Sequence, residues 1–309
     1  MKVGLPEELL HLEWMDALKE TIDGFLPGIQ WMHRCAEEGL RAVFMEGDAC
    51  YPFKQMIRTA LRLAPRVDAL LVPRVAGMDG YFTCPNFRAL PDMVRLHTDR
   101  SPSILKARIS APIMDVKSEG DVYSLARSVA RELAGGVPLR GSPPLPSRKN
   151  VPGLATRDIS RAVALIGHPY VLRDPRLNNG VPEILRDGGC ETVFAQDIPF
   201  KELDRLSRGR DFYAKTLYWR AAREILGAYL YFSRVQRPAG IIQLAAFNCG
   251  VEALIRVELA ALHRQLTNPP PFMIVVCDEH TQRDHVLTRI EAFLDVVYGI
   301  TADRHLFGH

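Results

Sequence analysis

Apolar stretches that end at a turn and continue into a helical pattern recur along this chain, and this alternation constrains the fold most strongly. The clearest case is a run at 239–247 that is apolar except for Gln243, followed by a turn at 247–250 and helical spacing over 251–266. An apolar run bounded by turn residues is typical of a strand buried on both faces of a sheet. Strands that alternate with helices favour a mostly parallel, doubly wound α/β sheet.

The alternation is interrupted once, at residues 137–153, where five prolines lie among arginine, lysine and serine residues. Such a segment is typical of a linker or a wrapping loop. We therefore predict an N-terminal α/β domain over 1–136 and a C-terminal α/β domain over 154–309. Because candidate site residues lie at strand ends in both domains, a cleft between them is the expected site.

Hydrophobic periodicity and turn residues predict the individual elements. Strands are predicted at 2–6, 29–32, 67–73, 111–116, 162–166, 191–195, 239–247 and 271–276. Helices are predicted at 7–23, 34–44, 52–63, 122–133, 181–186, 213–232, 251–266 and 286–297.

Charge and hydropathy argue against several classes of partner. The chain carries 39 basic and 36 acidic side chains, a formal net charge of +3, without a basic stripe that would indicate a nucleic-acid partner. The sequence opens without the charged segment and apolar run of a signal peptide. Apolar stretches fall short of the roughly 18 residues that a membrane span needs. We expect a cytoplasmic protein with neither a nucleic-acid nor a membrane partner.

The six cysteines are the residues most suggestive of chemistry. Disulfides are not expected in a reducing compartment, which leaves buried thiols, metal ligands or a nucleophile. Cys50, Cys84 and Cys249 lie in predicted turns with glycine, proline, asparagine or aspartate neighbours. Cys249 follows a strand directly, at the sheet edge where ligands bind in open α/β folds.

We hypothesise that the thiolates of Cys50, Cys84 and Cys249 hold one iron–sulfur cluster. Three thiolates on a four-iron cube leave one iron open to bind a substrate oxygen and deliver an electron. The chain has no Cys-x-x-Cys pair, so spacing alone is a weak metal signal. The alternative is that each cysteine is a small buried hydrophobic residue.

Other residues have both a functional and a structural interpretation. His168, at a strand end, is a candidate hydrogen-bond donor to cluster or substrate, or a structural turn residue. Glu46 is a candidate proton donor at the cluster, or a solvated charge. Arg74 is a candidate ligand for an anionic substrate group, or the partner of an acidic side chain. Asp278, Glu279 and His280 form a candidate ligand set or proton relay, with helix capping and interdomain hydrogen bonding as the favoured interpretation.

The remaining cysteines bear on the size of the cluster. A double cubane needs six thiolates, and Cys277, at a strand's carboxyl end, is placed to contribute. Cys35 is predicted within a helix, and Cys190 precedes a strand, so it is expected at the opposite sheet edge. Core packing of Cys35 and Cys190 is the favoured interpretation.

Several segments, in this order, resemble the 2-hydroxyacyl-CoA dehydratase small-subunit-like family, and more closely its branch of acyl-CoA dehydratase activase-related proteins. They are EGDACYPFK (46–54), YFTCPNFRALPDMVR (81–95), GHPY (167–170), FNCG (247–250), DEHT (278–281) and RIEAFL (289–294). The resemblance covers nearly the whole chain.

The resemblance implies two flavodoxin-like domains with a cluster in the cleft between them. It implies a [4Fe–4S] cluster held by Cys50, Cys84 and Cys249, or a double-cubane [8Fe–9S] cluster. It also implies an ATP-dependent activase with its own cluster as electron donor, and an acyl-CoA or other small-molecule substrate. A homologous subunit or a homodimer is a further expected partner. The alternatives are a non-catalytic electron carrier and an α/β binding protein with inert cysteines.

The sequence departs from the family pattern at two places. The family usually opens with Gly-x-Pro-Arg, and this chain has Gly4-Leu5-Pro6-Glu7 instead. The family usually continues after DEHT with an acidic, glycine-rich segment, and this chain has Gln282-Arg283-Asp284-His285 there. These changes bear on the partner and substrate more than on the cluster.

Overall fold

The computed structural model divides into two compact units, Met1–Lys149 and Asn150–His309. The division falls inside the segment 137–153 that the sequence predicts as a linker. The structure describes residues 1–35, 49–99, 107–139, 141–146, 154, 157–209 and 217–299.

The N-terminal unit is built on a four-stranded parallel sheet. Its strands are β1 (Lys2–Gly4), β2 (Gln30–Met32), β3 (Ala69–Leu71) and β6 (Arg108–Ser110), in the order β2-β1-β3-β6. Val3 pairs with Trp31 on one side and with Ala69 on the other. The parallel α/β arrangement expected from the sequence is therefore present in this unit.

A second sheet of three strands extends the N-terminal unit. It consists of β4 (Arg74–Met78), β5 (Tyr81–Phe82) and β7 (Ile113–Val116), with β5 antiparallel and β7 parallel to β4. The predicted strand 111–116 begins only at Ile113, directly after Pro112, which has no N–H to donate to the ladder. The sequence interpretation missed the β4–β5 hairpin, which is the one antiparallel pair among the described strands of a mostly parallel unit.

The helices of this unit are α1 (Glu7–Leu10), α2 (Met15–Phe25), α3 (Tyr51–Leu63), α4 (Pro85–Asp99) and α5 (Glu119–Ala134). The single helix predicted over 7–23 is broken at Trp14, which has a left-handed φ of 72°. The helix α4, which starts directly after Cys84, was not predicted. Pro85 at its first position is a helix-start signal, but Pro91 within it argued against a helix.

The C-terminal unit is also built on a four-stranded parallel sheet. Its strands are β8 (Val163–Gly167), β9 (Thr192–Phe194), β10 (Gly240–Ala246) and β11 (Phe272–Cys277), in the order β11-β10-β8-β9. All residues of the central strands β8 and β10 are buried. This agrees with their sequences, which are apolar apart from Gln243 of β10.

Helices flank this second sheet. They are α6 (Pro169–Arg173), α7 (Val181–Asp187), α8 (Phe200–Ser207), α9 (Arg220–Tyr231), α10 (Gly250–Gln265) and α11 (Arg283–Tyr298). The helix predicted over 213–232 begins at Arg220 in the described chain, and α8 was not predicted. Within the described ranges, no helix combines the length and hydropathy that a membrane span needs.

The two units share one topological plan. When the strands of each parallel sheet are numbered within their own unit, both sheets have the order 2-1-3-4. The first strand ends at Gly4-Leu5-Pro6 in one unit and at Gly167-His168-Pro169 in the other, and a short helix follows each. The connection after the third strand carries Cys84 in the first unit and Cys249 in the second.

Candidate functional site

His168, Cys249 and Glu252 come together at the carboxyl edge of the second sheet. His168 directly follows β8, and Cys249 lies in the turn after its neighbour β10. The strands are parallel, so their carboxyl ends meet at one edge, and Nε2 of His168 lies 3.4 Å from Sγ of Cys249. His168 is buried, whereas Cys249 is partly exposed.

The backbone at this edge is shaped by two residues with unusual dihedral angles. Asn248 has a left-handed φ of 59°, which turns the chain sharply between β10 and α10. Gly167 has a φ of 154°, and a Cβ there would lie 2.4 Å from the carbonyl oxygen of Leu244. The glycine therefore allows the end of β8 to approach β10 closely, which brings His168 next to Cys249.

Glu252 completes the group because it lies one helical turn after Cys249 on α10. Its Oε2 accepts a hydrogen bond from the backbone N–H of Ala246 at 2.5 Å and lies 4.0 Å from Nε2 of His168. The backbone N–H of His168 also bonds to this carboxyl group. Among the described residues, Oε1 has no hydrogen-bond partner, although Glu252 is only 1% exposed.

Burial sets the protonation of this group. Desolvation lowers the pKa of His168 to about 4, so its imidazole is neutral at pH 7. Desolvation raises the pKa of Glu252 to about 8, against the opposing effect of its hydrogen bonds from Ala246 and His168. Burial and the negative charge of Glu252 raise the pKa of Cys277. The positive charge of Arg256 also lowers the pKa of Glu252, but burial is the larger effect, so the carboxylate remains costly in this pocket.

Cys50 and Cys84 approach a common neighbour in the N-terminal unit. Cys50 is the N-cap residue of α3, and Cys84 directly precedes α4. The side-chain amide nitrogen of Asn86 lies 3.5 Å from Sγ of Cys50. The backbone N–H of Asn86 bonds to the thiol of Cys84. Asn86 therefore links two of the three predicted ligands.

The thiol of Cys84 experiences two opposing effects. Burial raises its pKa, while hydrogen bonds from the backbone N–H groups of Phe87, Asn86 and Cys84 itself lower it. Backbone N–H groups at a helix start stabilise an anionic sulfur. Burial is the larger effect, so the pKa of Cys84 is raised on balance and its sulfur is a neutral thiol at pH 7.

The other two predicted catalytic residues have different positions. Arg74 lies at the start of β4 and pairs with Asp92 of α4 at 2.7 Å, which raises the pKa of Arg74 and lowers that of Asp92. It also donates to the carbonyl oxygen of Arg88. Of its two proposed roles, the structure shows pairing with an acid. Glu46 lies outside the described residues.

Cys35, Cys190 and Cys277 lie in three different environments. Cys190 is buried and precedes β9, at the amino edge of the sheet, as its position in the sequence indicates. Cys277 is the last residue of β11 and is fully buried. Cys35 is half-buried in a non-helical segment after β2, and most of the predicted helix 34–44 lies outside the described residues.

The loop of Asp278, Glu279 and His280 is held by contacts within its own unit. The side-chain amide of Asn179 donates to the carbonyl oxygens of Asp278 at 3.2 Å and of Thr281 at 3.3 Å. His280 is largely exposed, with Nε2 4.0 Å from Glu279 Oε1. The N-cap residue of α11 is Gln282, so the predicted capping by residues 278–280 was wrong.

The sequence interpretation missed Glu252 and Asn86. Glu252 follows Cys249 by three residues at a predicted helix start, and residues three apart share a helix face. Asn86 follows Cys84 by two residues. Spacing was therefore a usable signal for both, but neither residue type is diagnostic without the neighbouring strand.

No protein-family model and no curated protein matches this sequence. The chemistry of the site therefore rests on its residues and geometry.

Proposed function

We propose that the chain is an iron–sulfur redox protein of the 2-hydroxyacyl-CoA dehydratase type. In this proposal Cys50, Cys84 and Cys249 hold a [4Fe–4S] cluster, and an ATP-dependent activase with its own cluster supplies a low-potential electron. The substrate is an acyl-CoA thioester or another small molecule that is hard to reduce. The observation that carries the proposal is that all three thiols directly precede the first residue of a helix.

Helix starts suit thiolate ligands for two reasons. The unpaired N–H groups and the positive end of the helix dipole stabilise the anionic sulfur. Hydrogen bonds to sulfur also tune the reduction potential of a bound cluster. The donor set therefore fits the chemistry of a cluster, and Asn86 supports the fit by contacting both Cys50 and Cys84.

The topology supports a flavodoxin-like plan for both units. Their strand order, 2-1-3-4, corresponds to the first four strands of the flavodoxin order 2-1-3-4-5. Such sheets bind ligands outside the carboxyl ends of their strands, which is where Cys249 lies in the second unit.

When bound, the cluster supplies one-electron transfer. The chain's own residues then have three tasks: they bind iron through thiolate sulfur, exclude water and donate hydrogen bonds. Cys50 is 8% exposed, so its thiol is largely shielded from water. His168 stays neutral, because burial lowers its pKa to about 4, and the tautomer with a proton on Nε2 would donate to the sulfur of Cys249.

Anaerobic reconstitution of variants in which one cysteine at a time is replaced by serine tests this proposal. We expect wild type to develop the absorption of an iron–sulfur cluster and, after reduction, its EPR signal. The variants C50S, C84S and C249S should each lose most of the signal. The matched control is C190S, which changes a buried cysteine at the opposite sheet edge and should reconstitute normally. Equal reconstitution of all four variants would contradict the ligand assignment.

A further inference from the structure

The groups around His168 converge on a point and do not form a relay. In a catalytic triad, the acid orients one ring nitrogen and the nucleophile faces the other. Here Sγ of Cys249 lies 3.4 Å from Nε2 of His168, and Oε2 of Glu252 lies 4.0 Å from the same atom. One nitrogen, one sulfur and one oxygen facing each other are typical of ligands around a cation.

The distances suit a tetrahedral transition-metal ion. Zinc binds histidine nitrogen at about 2.0–2.1 Å and thiolate sulfur at about 2.3 Å, so tetrahedral geometry separates these donors by about 3.5 Å. The observed separation is 3.4 Å. All three donor atoms lie within 4.8 Å of one another, which is close enough for one ion to be shared among them.

Charge and burial favour the same occupant. Oε1 of Glu252 is buried and, within the described ranges, has no hydrogen-bond partner. A divalent cation would balance the carboxylate of Glu252 and the thiolate of Cys249, while the neutral imidazole of His168 offers its lone pair. The mixed N, S and O donors match zinc-like ions, whereas Ca²⁺ and Mg²⁺ prefer oxygen donors alone.

We propose that His168, Cys249 and Glu252 of the C-terminal unit form a mononuclear site for a divalent transition-metal ion of the Zn²⁺ type. Three protein ligands leave the fourth tetrahedral position for water or another small ligand, as in catalytic zinc sites. The partial exposure of Cys249 provides access for the ion.

This site goes beyond the proposed cluster and does not depend on it. It uses neither Cys50 nor Cys84, which lie in the other unit. Since Cys249 belongs to both proposed sites, the ion occupies the pocket in chains without a cluster.

Cobalt binding tests the mononuclear site. The cluster-free full-length chain, stripped of metal with a chelator and kept reduced, is titrated with Co²⁺ and then with Zn²⁺. We expect one Co²⁺ per chain, with a thiolate-to-cobalt absorption band that Zn²⁺ removes. H168A, E252Q and C249S should each weaken binding by at least about tenfold, because each removes a ligand.

Matched controls separate this proposal from the cluster proposal. Glu258→Gln makes the same chemical change further along α10 and should bind Co²⁺ like wild type. C50S and C84S should lose the cluster but keep the cobalt band, so the two proposals fail independently. Circular dichroism verifies that each variant is folded. If E252Q unfolds, the comparison of H168A with E258Q still tests whether His168 is a ligand of the metal ion. Wild-type affinity in H168A, or loss of the band in C84S, would overturn the proposal.

Discussion

The first strand of each unit ends in a Gly-x-Pro turn, and the two turns carry different chemistry. In the N-terminal unit the middle residue is Leu5, which is fully buried. In the C-terminal unit it is His168, whose ring faces Cys249. The same backbone plan therefore supports an apolar contact in one unit and a polar site in the other.

The thiols of the two units differ in the same way. Cys50 and Cys84 share Asn86 as a hydrogen-bonding neighbour, so their surroundings consist of N–H donors. Cys249 instead faces an imidazole and a buried carboxyl group. The first environment offers N–H donors that partly offset the effect of burial on the pKa of Cys84, whereas the second places nitrogen and oxygen donors next to the sulfur.

The largest expected effect is a loss of stability that is confined to the C-terminal unit. Arg223 is 2% exposed, and its Nε lies 2.5 Å from Oδ1 of Asp204. Asp204→Ala leaves a buried arginine without this carboxylate, which typically costs about 3–5 kcal/mol. Hydrogen exchange should show lost protection in Asn150–His309 and normal protection in Met1–Lys149. Equal loss in both units would mean that they unfold together.

The next largest effect is the pH dependence of the free energy of unfolding of the C-terminal unit, measured in the metal-free full-length chain. The pKa of Glu252 is raised from 4.5 to about 8, so the native state binds more protons than the unfolded state between these values. Its contribution to stability is present below pH 4.5 and is lost as pH rises through 8. The pKa of His168 is lowered from 6.5 to about 4, so its contribution is present above 6.5 and is lost as pH falls toward 4.

The two residues oppose each other below pH 6.5, so the interval from 6.5 to 8 isolates Glu252. Chemical denaturation should show stability falling with pH there in wild type. In E252Q this dependence should largely disappear, because glutamine does not titrate. A wild-type slope of the opposite sign would contradict the buried, protonated state of Glu252.

A smaller effect tests the role of Asn86 in the N-terminal unit. Asn86→Asp would place a negative charge beside Sγ of Cys50 and raise the pKa of that thiol. We expect alkylation of Cys50, followed by mass spectrometry near pH 8, to slow by about threefold to tenfold. Cys190, at the amino edge of the second sheet, should react at its wild-type rate and serves as the internal control. A faster reaction at Cys50 would contradict the contact.

The smallest effect is expected at Arg74. Its ion pair with Asp92 is solvent-exposed, and exposed pairs contribute about 0–1 kcal/mol. Arg74→Ala should therefore lower the free energy of unfolding by no more than about 1 kcal/mol. A change in substrate affinity with unchanged stability would restore the anion-binding role predicted from the sequence.

Sequence patterns predicted the elements whose periodicity is strong. The apolar run before Cys249 predicted β10, and the helical spacing after it predicted α10. Local chain reversals escaped the same reasoning. Examples are the β4–β5 hairpin, which turns at Asp79 and Gly80, and the helix break at Trp14. All three residues have a left-handed φ, which hydrophobic periodicity does not report.

The candidate site was predicted in part. Position after a strand identified His168 and Cys249 separately, but their contact depends on the neighbouring arrangement of β8 and β10. Glu252 escaped because a glutamate at a helix start is usually a surface residue that stabilises the helix dipole. Only the packed structure shows that this one is buried against His168.

The most direct test of the central proposal is iron and acid-labile sulfide per chain, measured side by side for anaerobically purified wild type and C84S. The proposal predicts about four irons and four sulfides per wild-type chain and a large loss in C84S. About eight irons would contradict a single cube and indicate a double cubane with ligands beyond these three thiolates. Absence of iron after anaerobic reconstitution, or full retention of iron in C84S, would contradict a cluster held by Cys50, Cys84 and Cys249.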